Sequence, residues 1–318
     1  VTTTSISGIS PAVDGAIPVY VWLEDAHGRT GYITSASTIL RLDTTPPVSS
    51  ETVTPPAAAS GWYTTSVNIQ FVATDLPEDP AYPPYVYTSL DGGAWTPVTQ
   101  MNVGVEGVHS LLFQARDKVN NIESTKTIAL KIDMTPPTVS LVPGRQPNAS
   151  GWYTASVPYA INVVDSGSGP YQSYYRLNSG AWQLGTSFTL ATEGIHQIDA
   201  YGTDVAGNRS ATATRTARVD MTAPVTAWSK VGTLGTNDWY VSDVTVQLLP
   251  VDTVSGVGLT RYRINETAWQ TGLQFPMAAD GTYNVSFASV DVAGNAELPV
   301  NGSLKIDTTA PGAPTSPG

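Results

Sequence analysis

The chain has 318 residues, with 26 acidic against 15 basic side chains and a formal charge of −11. That balance excludes a nucleic-acid partner, which needs a surplus of Lys and Arg. The absence of cysteine excludes disulfides, thiolate metal sites and a cysteine nucleophile. No apolar run reaches the roughly 18–20 residues of a membrane helix, and the opening Val1–Gly8 lacks the basic start and apolar core of a leader. Such an acidic, Thr/Ser/Gly/Pro-rich chain reads as a mature extracellular, cell-surface or secreted segment.

Taken in order, residues 1–42 carry only the back part of a unit: Asp14-Gly15, Asp25 and Asp43 parallel Glu106-Gly107, Asp117 and Asp133. Full units begin at "DTTPP" (Asp43), "DMTPP" (Asp133) and "DMTAP" (Asp220), and "DTTAP" returns at Asp307. Within them "SGWYTTSV", "SGWYTASV" and "NDWYVSDV" place Trp62, Trp152 and Trp239. A second set of tryptophans falls at 95, 182 and 269, and the acids Asp117, Asp204 and Asp291 open "DKVNN", "DVAGN" and "DVAGN". The last two sets recur at a step of 87 residues, and the first full unit carries three extra residues between Asp75 and Leu90. A fixed period of this size marks a tandem array, and an insertion that leaves every flanking landmark in place belongs in a loop.

Inside a unit the period is two. "VNIQFVATD" puts Val67, Ile69 and Phe71 on one face, "VTVQLLPVD" does the same with Val244, Val246 and Leu248, and "YNVSFASVD" alternates Tyr283, Val285 and Phe287 against Asn284 and Ser286. These are half-buried strands. "LDGGAW" and "LNSGAW" read as hairpin turns, where Asp, Asn and Gly tolerate positive φ. Pro158 fits only at an edge or near a strand start. Short strands punctuated by Gly/Pro turns predict an all-β chain of tandem β-sandwiches. Proline-rich connectors, which fix φ and remove donors, would join them into an extended rod. The predicted division is 1–42, the end of a unit; 43–132, 133–219 and 220–306, three complete units; and 307–318, a linker or tail.

This ordered set of landmarks resembles the immunoglobulin-like tandem repeats of large bacterial surface and secreted proteins. The residues that carry the resemblance are the "DTTPP" linker, "GWYT", Asp-x-x-Ser-Gly in "DTVSGV" (252–257), "GGAW" or "SGAW", the Glu-Gly-x-His step and Asp-x-Ala-Gly-Asn. The resemblance implies immunoglobulin-like sandwiches. On that topology Asp133, Asp165 and Asp204 gather at one pole, as do Asp220, Asp252 and Asp291, and Asp43, Asp75 and Asp117. Glu106 and Glu193, at the opposite pole, would approach Asp133 and Asp220. Such converging carboxylates resemble the calcium-bridged joints of cadherins, and the metal expectation comprises Asp133, Asp165, Asp204, Glu193, Asp220, Asp252 and Asp291 with calcium. The first copy suits this less, since Lys118 adds a positive charge and Arg29 takes the Asn position of the partial unit.

A plainer reading stands beside it. Asp opens tight turns by accepting backbone hydrogen bonds, Gly207 and Gly294 supply positive φ, and the next Asn caps the turn. His109 and His196 align with Tyr283, as expected of a corner aromatic whose tip bonds backbone, and His27 takes the place of a turn alanine. Each recurring acid appears three times whereas an active site is built once, so no enzyme is expected. Trp62, Tyr63, Trp152, Tyr153, Trp239 and Tyr240 read either as framework packing or as glycan-stacking platforms. Asn-x-Ser/Thr sequons fall at Asn148, Asn208, Asn265, Asn284 and Asn301. The segment is therefore expected to be a stalk, adhesin or surface-filament subunit, self-associating by strand exchange or meeting a glycan or cell-surface ligand. The competing role is a spacer or carbohydrate-binding accessory of a secreted hydrolase.

Overall fold

Alternation of apolar and polar side chains, broken by residues that turn the chain, produces strands and nothing else here. In a computed structural model, residues 13–21, 27–28, 36–76 and 83–312 are described, and all the regular structure among them is β. Asp25, Arg29, most of the insertion in the first unit and the final residues 313–318 lie outside the described residues. Contacts divide the chain into two compact units. One runs to Pro136 and takes in Asp165–Gly169 and Asp204–Asn208; the other holds the remainder.

The same two-sheet frame is built three times. In the first, Val48–Thr54, Val67–Thr74 and Gln100–Val103 form one antiparallel sheet, and Thr96–Val98, Tyr85–Leu90, Gly107–Arg116 and Lys126–Ile132 form the other. In the second, Thr138–Pro143, Val157–Val164 and Ser187–Leu190 face a sheet ordered Trp152–Tyr153, Ala213–Val219, Gly194–Asp204, Pro170–Leu177 and Gln183–Leu184. The third repeats this order with Val225–Val231, Val244–Val251 and Gln274–Met277 against Trp239–Tyr240, Val300–Ile306, Gly281–Asp291, Val257–Ile264 and Gln270–Thr271. At the N-terminus Gly15–Val21 pairs with Ala36–Leu42. The chain is thus all-β, a tandem of immunoglobulin-like sandwiches.

The alternation finds its reason in three separate cores. Val67, Ile69 and Phe71 are buried with Leu111, Phe113 and Leu130; Val157 and Tyr159 with Ile198 and Val219; Val244, Val246 and Leu248 with Phe287, Leu304 and Ile306. Each such side chain contributes roughly 1.5–3 kcal/mol of transfer free energy. The "WYT" element is itself a short edge strand: Trp152-Tyr153 runs parallel to Arg218-Val219, and Trp239-Tyr240 to Lys305-Ile306. Tyr63, Tyr153 and Tyr240 are buried, so in each copy the tyrosine is a core residue and offers no platform.

The hairpin turns carry positive φ at both central residues: Asp91 and Gly92 (50° and 75°), Asn178 and Ser179 (50° and 60°), Asn265 and Glu266 (49° and 60°). Pro158 is the second residue of its strand, one place before pairing with Thr138–Pro143 begins at Tyr159. The simple alternation fails in Gly281–Asp291, where Ser286 and Ser289 are buried along with Val285 and Phe287. Their sheet's outer face is covered as well. Arg261 and Arg263 pair across from Ala288 and Ser286, and their guanidinium groups stack on Trp269 at 4.7 and 5.1 Å.

Candidate functional site: the acid apex of each repeat

Each repeat gathers three aspartates where strands end. The linker aspartate follows the last strand of the preceding unit, and its N–H is fixed by the edge tyrosine: Asp133 donates to the Tyr63 carbonyl and Asp220 to that of Tyr153, both at 2.9 Å. The second aspartate follows the central strand of the smaller sheet, and the third ends the long strand of the larger one in repeats 2 and 3. One carboxylate oxygen from each lies within 4.8 Å of the other two in Asp43/Asp75/Asp117, Asp133/Asp165/Asp204 and Asp220/Asp252/Asp291.

Backbone N–H groups hold these carboxylates. The Asp204 Oδ1 accepts from Gly207 N at 2.7 Å and Asn208 N at 2.8 Å, while Asn208 Nδ2 donates to Asp204 Oδ2 and to the Asp133 carbonyl. Asp291, Gly294, Asn295 and the Asp220 carbonyl repeat the arrangement. Gly207 and Gly294 sit at φ of 105° and 98°, a conformation that side chains disfavour. In the Asp-x-x-Ser-Gly loop, Asp165 accepts from Gly167 N and Gly169 N, and Asp252 from Val254 N and Gly256 N. The loop serine serves both neighbours: Ser168 N donates to Asp133 Oδ2 at 2.6 Å and its hydroxyl accepts from Ala206 N, a pattern that Ser255 repeats with Asp220 and Ala293. The turn reading of "DVAGN" describes the contacts within the turn, and the bonds to the linker aspartate come in addition.

Charge is left over. Asp133 and Asp220 are fully buried, Asp204 and Asp291 nearly so, and among the described residues no ion pair reaches either triad. The second oxygens of Asp165 and Asp252 accept no hydrogen bond among the described residues. Oxygen-only donors with this charge fit a hard divalent cation, whose ligands lie at about 2.3–2.6 Å. In the first repeat burial raises the carboxyl pKa of both Asp43 and Asp75, and the neighbouring Asp117 charge adds to it.

The two expected glutamates do other work. Glu106 accepts from Met134 N and the Thr135 hydroxyl, and Glu193 from Met221 N and the Thr222 hydroxyl. Glu193 lies outside the converging set and fastens the linker. Asp14 and Asp280 treat Thr44-Thr45 and Thr308-Thr309 alike, and the hydroxyls of Thr45 and Thr309 are the main cause holding those carboxyls below their ordinary value. The corner aromatics bond backbone as expected: His109 Nε2 meets the Val105 carbonyl, His196 Nε2 that of Thr192, and the Tyr283 hydroxyl donates to Ala279.

Sequence reasoning missed Glu123 and Glu297. Each carboxylate reaches from the end of the larger sheet to the first strand of the smaller one. Glu123 accepts from Ser49 N, the Ser49 hydroxyl and Ala115 N; Glu297 accepts from Thr226 N, the Thr226 hydroxyl and Ser289 N. The middle copy has Ser210, whose hydroxyl accepts from Gly202 N, so the repeat pattern hides the pair. A groove of about 660 Å³ in the third repeat, lined by Leu248–Val251, Val257–Thr260 and Thr271–Leu273, presents apolar side chains and threonines with no acid or base.

Residues 93–168 match the family model described as bacterial Ig-like domain (group 3). Among solved structures the chain is similar to the N-terminal eight Ig domains of Down Syndrome Cell Adhesion Molecule, at 10% identity and a TM-score of 0.45, covering 95% of this chain and 44% of that one. It is also similar to the fibronectin(III)-like modules of Clostridium thermocellum CbhA, at 13% identity and a TM-score of 0.30, covering 54% of this chain and 95% of that one. The three N-terminal domains of the bacteriophage RB49 Highly Immunogenic Outer Capsid protein align at 7% identity and a TM-score of 0.33, covering 83% of this chain and 100% of that one. No curated protein matches the chain. No helix among the described residues is long and apolar enough to cross a membrane.

Proposed function

We propose that this chain, whose residues 93–168 match a bacterial Ig-like domain, is a non-catalytic spacer segment of a bacterial surface protein. Its units, 43–132, 133–219 and 220–306, would form a stalk that carries an adhesive or filament-forming part away from the cell. The observation that carries this reading is repetition. The same three aspartates, the same capping asparagine and the same linker-fastening acid recur in register, so the acidic chemistry serves the frame of each unit and the seam before it. Anchoring of the linkers after repeats 1 and 2 by a backbone N–H and a threonine hydroxyl, and of the linker after repeat 3 by a backbone N–H and two hydroxyls, supports a stiff connection. Sequencing the parent gene on both sides of the segment tests the role. Further repeats with a wall or membrane anchor support a stalk; an adjoining hydrolase domain would make these accessory modules and refute it.

The second part of the proposal concerns the triads of repeats 2 and 3, Asp133/Asp165/Asp204 and Asp220/Asp252/Asp291, which would hold calcium. It is supported by their buried, unneutralised charge. The cation would supply that charge balance, while Asn208 and Asn295 keep the third carboxylate oriented. Thermal melting with calcium and with chelator decides this: calcium at a hundredfold excess over its Kd stabilises a unit by about 2.7 kcal/mol. Identical transitions in the two conditions would remove calcium from the proposal and leave the turns as structural caps.

A further inference from the structure

The "DVAGN" turn of the third repeat has two faces, and only one of them holds its own carboxylate. Its N–H groups point inward, Gly294 N and Asn295 N donating to Asp291 Oδ1. Its carbonyls are taken by a residue of the preceding repeat: Asn148 Nδ2 donates to Ala293 O at 2.7 Å and Val292 O at 3.2 Å. Asn148 is braced for this. Its Oδ1 accepts from Ser150 N at 3.0 Å and Trp152 N at 2.9 Å, and its own N–H donates to the Trp152 carbonyl. The amide oxygen therefore closes a turn in the second repeat while the amide nitrogen reaches the third.

We infer that Asn148 is a docking residue that locks the second repeat onto the acid turn of the third, and that the turn's outward carbonyls are a receptor for the unit before it. The lock is specific to this joint. The residues four places before Trp62 and Trp239 are Ala58 and Gly235, which share the backbone bond to the tryptophan carbonyl but carry no side-chain donor. The inference concerns geometry and stands whether or not the segment is a stalk.

The test uses the full chain, and the absence of native cysteine makes it clean. Spin labels at Thr216→Cys and Gln274→Cys, both exposed strand positions, report the distance between the two repeats. Asn148→Asp keeps the oxygen that closes the local turn, removes the donor and sets a carboxylate against two carbonyls. It should raise the undocked fraction about fivefold or more, the ratio expected for one ordinary hydrogen bond, and broaden the distance distribution while the melting of each repeat is unchanged. Asn148→Gln, which retains the donor on a longer arm, should fall between. An Asn148→Asp distribution that superposes on the parent's would overturn the lock, as would broadening accompanied by unfolding of the second repeat.

Discussion

The acid apexes of the first and third repeats share three aspartates and an asparagine but differ in what holds them. In both, the asparagine side chain ties the third aspartate to the linker carbonyl: Asn121 to Asp117 and Asp43, Asn295 to Asp291 and Asp220. In the third repeat, Ser255 N and Gly256 N add donors to Asp220 and Asp252. The first repeat has a proline-bearing insertion where that loop belongs, and its Asp75 is held by Leu76 N. Burial and neighbouring charge then raise the pKa of Asp43 and Asp75. The comparison teaches that the Asp-Asn pair is the shared frame, to which the serine–glycine loop adds backbone donors in the third repeat.

The sharpest way to break the comparison is to delete the frame. Asp291→Ala strands three donors at a buried position and should destabilise the third repeat by about 3 kcal/mol, read as an earlier separate transition in a denaturant melt. Asp117→Ala strands two donors from Asn121 and should cost about 2 kcal/mol; equal losses would erase the distinction. The sheet-bridging acids come next. Glu297→Ala frees three donors and Glu123→Ala four, the Lys126 ammonium included; each should cost about 2 kcal/mol in its own repeat, leaving the second repeat, which uses Ser210, untouched.

Acid titration sharpens the same contrast. Burial pushes the Glu123 carboxyl up, but the Lys126 ammonium with the Ser49 and Ala115 donors outweighs it and holds the value below the ordinary one. The stabilisation is therefore complete above the unfolded value of about 4.3 and is lost as pH falls through the lower folded value. Glu123→Gln should flatten the first repeat's stability profile over that window. The smallest effect is at the corners. The Asp91 carboxylate raises the His109 pKa, with burial opposing and the Val105 carbonyl assisting. That contribution is complete below about 6.5 and fades as pH rises through the raised folded value. With Asp91 half-exposed, it should amount to less than about 1 kcal/mol. The third repeat has a tyrosine at this corner and should show no such step when each transition is followed against pH.

Much of this was legible because it is local. Alternation in "VNIQFVATD" and "VTVQLLPVD" matches the buried faces, the Asp/Asn-bearing turns take positive φ, and His109, His196 and Tyr283 bond backbone as their alignment implied. Ser286 was misplaced on a solvent face because nothing in its own strand announces that Arg263, stacked on Trp269, lies across from it and that Asn301 takes its hydroxyl. Glu193 was placed with the triad because the sandwich topology brings its turn to the pole where the next linker leaves; it does meet that linker, but its carboxylate is consumed by Met221 N and the Thr222 hydroxyl.

The sequence by itself determined the period, the number of full copies, the strand character and the turn chemistry, since each depends on φ, ψ and side-chain direction within a few residues. Only the tertiary structure decided which groups meet across long separations: Asn208 with the Asp133 carbonyl 75 residues away, and Asn148 with Ala293 at 145. Those meetings depend on strand register and on how sheet ends come together. Ångström differences there decide whether a polar atom finds a partner, and no local pattern records them.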